Sequence, residues 1–217
     1  MTHLINKIDK LLAENYGDKQ LIKHRDPVGE LVNTILSQNT SDVNRDKAFN
    51  RLKERFPEWE QVAEAHTNSI KAMIKPGGLS AVKAPRIKKI LNEIRNGNGR
   101  IDLSNLYEMK PDEGLKYLTS FNGVGFKTAA CVLLFACGKE VFPVDTHIYR
   151  TSKRIGLVDD KADREKAFET MNSLVPGGIA YRLHLNMIQL GRKICRPKRP
   201  LCGECPLNKM CKSAFKI

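Results

Sequence analysis

The sequence predicts an all-α protein. Three observations carry that expectation: apolar residues recur at helical spacing, capping and stop residues punctuate them, and strand-like alternation is scarce across the 217 residues. In "DPVGELVNTILSQNT", Asp26 can cap, Pro27 suits the first helical position, and Val28, Leu31, Val32, Ile35 and Leu36 share one face before an end near Asn39. A second helix is expected after Ser41, carrying Phe49, Leu52 and Phe56. "SAVKAPRIKKILNEIRNGNG" gathers Ala84, Ile87, Leu91 and Ile94 ahead of a Gly/Asn stop, and Pro111 opens a helix through Leu115 and Leu118. Downstream, "DTHIYRTSKRIG", "DREKAFETMNSLVPGG" and "AYRLHLNMIQLGRKIC" complete the helical series, the last running straight into a cluster of cysteines. No repeat, low-complexity segment or obvious linker interrupts it.

Lys+Arg number 37 against 24 Asp+Glu, a formal charge of +13 that favours a polyanionic partner, with nucleic acid the leading candidate. A solvated basic surface accounts equally well for charge alone, so motifs must decide. No apolar run approaches the roughly 20 residues that span a bilayer, and the charged N-terminus lacks a signal-peptide core. A soluble cytoplasmic or nucleoid location is therefore expected.

"YLTSFNGVGFKTAACVLLFACG" places Gly123 and Gly125 around Val124 between two helices. Glycines permit positive φ and expose backbone N–H groups at the start of the second helix, an anion-binding concavity suited to a DNA phosphate. The spacing excludes a P-loop, since Ser120 stands where its first Gly belongs and Phe126 separates Gly125 from Lys127. A tight αα turn without a ligand is the simpler alternative. Lys127 falls in the first helical turn, where the macrodipole and an apolar neighbourhood both favour an uncharged, nucleophilic amine of the kind Schiff-base chemistry needs. In "VFPVDTHIYR", Asp145 is most simply a helix N-cap, a role compatible with stabilising positive charge on a sugar. His147 shows no ligand spacing and is expected to be structural.

Four of the six cysteines, Cys195, Cys202, Cys205 and Cys211, fall in "CRPKRPLCGECPLNKMC", spaced C-x6-C-x2-C-x5-C. In a reducing compartment that clustering suggests metal ligation, by zinc or by a [4Fe–4S] cluster, with a slight lean toward iron. The loop between the first two holds Arg196, Lys198 and Arg199, a basic patch available for phosphate.

Together, "GVGFKTA", "VDTHIYR" and the cysteine spacing, in this order, resemble the endonuclease III family of helix-hairpin-helix DNA glycosylases over nearly the whole chain. The resemblance implies the helix-hairpin-helix glycosylase fold, with two helical domains flanking a DNA-binding cleft. One is a six-helix barrel over residues 24–139; the other joins residues 1–23 to 140–217. It further implies a [4Fe–4S] cluster on the four cysteines, Lys127 as nucleophile, Asp145 as catalytic aspartate, and Gly123 and Gly125 as a phosphate grip.

A base inside a duplex is out of a side chain's reach, so such an enzyme flips the nucleotide out and fills the gap. By the resemblance, Asn39 beside Gln38 and Leu79 in "GGLSAVKA" are the filling groups. The implied activity is that of a bifunctional glycosylase and AP lyase in base excision repair. Its expected partner is double-stranded DNA with a damaged base, by default an oxidised pyrimidine, or an abasic site, bound by a monomer.

The sequence departs from the family at Asn122 (usually Pro), Phe126 (commonly Arg), Ser80 (usually Tyr) and Asn39 (typically Gln), which bears on substrate choice. Uracil or thymine opposite guanine is the alternative substrate. An adenine-mismatch glycosylase would need a Glu where Thr34 stands, and a monofunctional mismatch glycosylase typically lacks the lysine. A non-catalytic DNA-binding module is disfavoured by the presence of both Lys127 and Asp145.

Overall fold

The computed structural model describes residues 2–21 and 26–216. The expected domain limit at residues 23 and 24 lies outside the described residues. Every regular element among those described is helical: α1 (Thr2–Tyr16), α2 (Pro27–Leu36), α3 (Asp42–Arg55), α4 (Trp59–Glu64), α5 (Thr67–Ile74), α6 (Ser80–Asn98), α7 (Pro111–Thr119), α8 (Phe126–Phe135), α9 (Thr146–Ile155), α10 (Arg164–Leu174) and α11 (Ala180–Lys193). Short 3₁₀ turns supplement them. The chain divides into two compact units, His24–Cys137 and Met1–Lys23 with Gly138–Ile217. None of the described helices is long and apolar enough to cross a membrane.

The His24–Cys137 unit is built around α2 and α8, which pack on each other. Both are buried on almost every side, Val28 through Val32 on one and Thr128 through Leu134 on the other, as expected of helices at the centre of a bundle. Asp26 caps α2 as its sequence predicts, accepting from the N–H groups of Val28 (3.1 Å) and Gly29 (2.8 Å). The same carboxylate accepts from Trp59 Nε1 at 2.8 Å, tying α4 to the start of α2. Around this centre lie α3, α5 and α6, with Leu52, Ile70, Ile74, Ile87 and Leu91 all fully buried.

In the other unit α11 packs against both α1 and α9. Ile5, Ile8 and Leu12 on α1, with Leu183 and Met187 on α11, supply buried apolar surface. A polar clamp holds the same pair of helices: Arg182 on α11 bonds Asp9 through Nε (3.1 Å) and Nη2 (2.6 Å), and Asp18 through Nη1 (2.5 Å). Asp9 is 5% exposed, so the guanidinium takes the place of water as its hydrogen-bond partner. Asn186 adds a bond to the Gly17 carbonyl at 3.1 Å. Replacing Arg182 by Leu strands a buried carboxylate and should cost about 3–5 kcal/mol. Thermal unfolding of Arg182→Leu should show a midpoint lower by on the order of 10 °C.

Candidate functional site

The helical hairpin is formed by α7 and α8. Pro111 and Glu113 start α7, the Glu113 carboxylate accepting from the Lys110 N–H at 2.9 Å. The close approach of the two helices comes at Gly114, where a Cβ would stand 2.8 Å from Leu133 Cδ2. In the turn, only Gly123 uses the left-handed region, at φ +88°; Gly125 is extended at φ −91° and ψ 171° and serves as N-cap of α8. Of the two, Gly125 thus makes no use of the positive φ that glycine permits. Its distinguishing feature is openness, since a Cβ there would meet nothing within 4 Å, leaving the backbone accessible at a helix start. Lys127 follows in the first turn of α8, half-buried, between exposed Phe126 and buried Thr128. Asn122, where the family usually has Pro, uses the N–H that Pro would lack: it donates to Glu93 at 3.2 Å.

Two loops of the same unit carry Gln38, Asn39 and Leu79. Helix α2 stops at Leu36, earlier than the sequence suggests, because the chain turns through Ser37–Thr40 with Asn39 at φ 52°. Leu79 precedes α6 at φ 49° and is 53% exposed. Their proximity is direct: a Cβ on Gly78 would lie 4.0 Å from the Asn39 carbonyl oxygen. Arg86 on α6 bonds Gln38 Oε1 at 3.1 Å and lies 3.3 Å from where a Gly123 Cβ would be, so the first loop and the hairpin turn share one side chain.

Lys127 belongs to one compact unit and Asp145 to the other. Asp145 is the N-cap of α9, accepting from the Ile148 N–H at 2.8 Å. Two residues on, His147 is pressed against Gly191 of α11, where an added Cβ would come within 2.8 Å of His147 Cβ. Further along α9, Arg150 donates to the carbonyls of Cys195 (3.0 Å) and Gly191 (2.8 Å), and Arg154 to those of Arg196 (2.6 Å) and Pro197 (3.0 Å). These guanidiniums fix the backbone of the basic loop. Lys198 and Arg199 remain exposed, Arg199 at φ 50°, whereas Arg196 turns its Nε to the Lys193 carbonyl at 3.0 Å.

Cys195, Cys202, Cys205 and Cys211 line a single cavity with Arg154 and Ile194. Burial pushes the Cys205 and Cys211 thiols up, and the neighbouring cysteines raise them further. Among the described residues, no group of three or more His, Cys, Asp or Glu is arranged to hold a metal ion. Four cysteine sulfurs around one cavity form an all-thiolate donor set of the kind that holds an iron–sulfur cluster. The donor set therefore fits an iron–sulfur cluster.

Residues 32–177 match the HhH-GPD superfamily of base excision DNA repair proteins. The chain belongs to this family. Residues 195–211 match the iron–sulfur binding domain of endonuclease III, so this glycosylase-family protein carries that domain around its C-terminal cysteines. It is 35% identical over 189 residues to endonuclease III of Thermotoga maritima, covering 87% of this chain and 84% of that protein. With a DNA glycosylase-like protein of Arabidopsis thaliana it shares 38% identity over 187 residues, 82% of this chain but only 64% of the relative's length. A solved structure of endonuclease III trapped covalently on DNA, with an estranged adenine, is similar across 100% of this chain and 98% of that one, with a TM-score of 0.84 at 26% identity.

Sequence reasoning overlooked Gly114, Gly191, Lys83 and the two arginines of α9. Arg150 and Arg154 sit four apart in "DTHIYRTSKR", a spacing that places them on one face and could have drawn attention. No local signal marks Gly191, whose importance lies in the distant His147. Gly191→Ala should force α9 away from α11 and cost about 1–3 kcal/mol, visible as a lowered unfolding midpoint.

Proposed function

We propose that this protein is a bifunctional DNA glycosylase and AP lyase of base excision repair, acting on an oxidised pyrimidine flipped from double-stranded DNA. The carrying observation is Lys127 in the first turn of α8, directly after an open Gly125 and a left-handed Gly123. The family membership and the covalently trapped relative support the same reading.

In this mechanism the hairpin N–H groups hold a phosphate, and Asn39 and Leu79 fill the gap left by the extruded nucleotide. The Lys127 amine attacks C1′; the C1′–N bond breaks, and the base leaves with its electron pair and takes up a proton. Asp145 stabilises the cationic sugar as that bond breaks. Ring opening and loss of a proton from nitrogen give an imine between C1′ and Nζ, whose protonated form acidifies the C2′ hydrogen. Removal of that proton expels the 3′ phosphate by breaking the C3′–O bond, and water then releases the lysine.

Cys195, Cys202, Cys205 and Cys211 would hold a [4Fe–4S] cluster, which supplies a rigid cross-link for the basic loop. Lys198 and Arg199 would contact phosphates from that loop, with the Arg196 main chain held by Arg154.

Borohydride should trap a covalent complex between the cluster-loaded protein and abasic-site duplex, and Lys127→Ala should abolish it. Asp145→Asn should keep the helix cap, since Asn is as good an N-cap as Asp, while lowering turnover by on the order of 10²–10³. Failure of the folded, loaded wild type to trap would instead favour a binding module. Duplexes carrying oxidised pyrimidines, and uracil or thymine opposite guanine, assign the substrate. Binding measured across salt concentrations tests the basic loop: Lys198→Ala and Arg199→Ala should each flatten the log–log salt slope by about 1.

A further inference from the structure

Lys83 is the largest fully buried side chain outside any recognised motif, only 1% exposed one turn into α6. Its Nζ donates to the carbonyl of Leu36 at 2.7 Å and to that of Gly77 at 2.8 Å. Both acceptors are backbone oxygens, and burial pulls the amine's pKa down from its ordinary value. A lysine in such a place must be held by its partners, because an unpaired buried ammonium is costly. Leu36 is the last residue of α2, where the helix dipole presents negative partial charge and the carbonyls lack intrahelical donors.

The position of those two carbonyls gives the lysine its significance. Leu36 stands three residues before Asn39, and Gly77 two before Leu79. Asn39 and Leu79 are the two non-glycine left-handed residues among the described residues of this unit. Such conformations cost of order 1–3 kcal/mol and persist only where the surroundings over-determine them; Asn tolerates the region, whereas Leu does not. Lys83 also uses its own backbone N–H to bond the Leu79 carbonyl at 2.9 Å. The side chain thus ties the two loops together by two hydrogen bonds, the backbone bond to Leu79 being the ordinary first turn of α6, and the loops abut at Gly78 and Asn39.

We propose that Lys83 is a positioning residue that presets the Asn39 and Leu79 loops as one rigid wedge for the gap left by a flipped nucleotide. The inference rests on the glycosylase reading above and deepens it. Lys83 touches no DNA; it acts through the two exposed side chains. A flexible pair of loops would have to be ordered on the DNA at each encounter, whereas a preset pair meets the gap with that ordering already done.

The test compares affinity for a duplex containing a tetrahydrofuran abasic analogue, which cannot be cleaved, with affinity for the same duplex undamaged. Lys83→Met keeps the length and removes the three N–H donors of the side chain. It should reduce the preference for the abasic analogue by on the order of 10- to 100-fold while leaving affinity for undamaged duplex within about twofold. Leu79→Ala should reduce the preference too, and adding Lys83→Met to it should bring little further loss, because both changes disable the same wedge. Equal loss of affinity for both duplexes, or losses that multiply in the double variant, would overturn the positioning role and leave Lys83 as a stabilising residue only. Lys83→Gln, which keeps a donor able to reach one carbonyl, should lie between wild type and Met; should the Met variant not fold, a selective loss in Gln supports the proposal and a non-selective loss or no change overturns it. A wild type that does not prefer the abasic analogue would refute the glycosylase reading itself.

Discussion

The hairpin depends on how closely α7 can approach α8, and that distance is set at Gly114. A Cβ there would stand 2.8 Å from Leu133 Cδ2, so any side chain would have to displace the Leu133 tip from the contact between the helices. Close packing of this kind transmits small changes, because interiors are dense and have little slack. The separation at Gly114 therefore constrains the turn from Ser120 to Gly125 and the orientation in which α8 begins. Lys127 inherits its place from that beginning. In the other unit, Gly191 against His147 does for α9 what Gly114 does for α8, and Asp145 inherits its place in turn. Each proposed catalytic side chain thus lies near the start of a helix whose position is limited by a glycine on a different helix.

Backbone strain follows a related pattern. Asn39, Leu79 and Arg199, three of the left-handed non-glycine residues, are exposed residues in loops proposed to meet DNA. Each loop has a cation beneath or beside it that binds main-chain carbonyls: Lys83 for the first two, Arg154 for the third. The basic charge of the chain is consequently of two kinds. Some lysines and arginines are spent internally on holding loops, and others such as Lys198 remain exposed for a polyanion. Net charge alone cannot separate the two, which is why composition by itself was ambiguous.

Much of the fold was legible because its signals are local. Asp26 followed by Pro27, and Asp145 followed by Thr146, announce helix starts through cap chemistry that operates within three or four residues. The amphipathic faces of α6 and α11 were legible for the same reason. The short helices α4 and α5 were missed, since six and eight residues give too few turns for a periodic signal to rise above noise. At the candidate site, Lys127 and the cysteines were singled out through motif order. Gly114, Gly191 and Lys83 were invisible because their roles are fixed by partners 19, 44 and 47 positions away in the chain.

The C-terminal segment presents a different balance. From Cys195 to Lys216, Leu207 is the one buried residue among those described, and regular structure is limited to two three-residue 3₁₀ turns. So little burial cannot offset the entropy of ordering more than a dozen residues, which costs about 1–2 kcal/mol each. Arg150 and Arg154 supply four hydrogen bonds to its first residues and to Gly191. Near the other end the Lys212 and Ser213 N–H groups donate to the Ile155 and Arg154 carbonyls, which leaves the stretch between tied mainly by its cysteines. Ionising the thiols without a metal would be unfavourable, since burial and the neighbouring cysteines push Cys205 and Cys211 up. An iron–sulfur cluster supplies the compensating charge and would turn four cysteines into four bonds that close the loop. Because Lys198 and Arg199 lie between the first two cysteines, a cluster that organises the loop also organises the surface on which these two exposed cations stand.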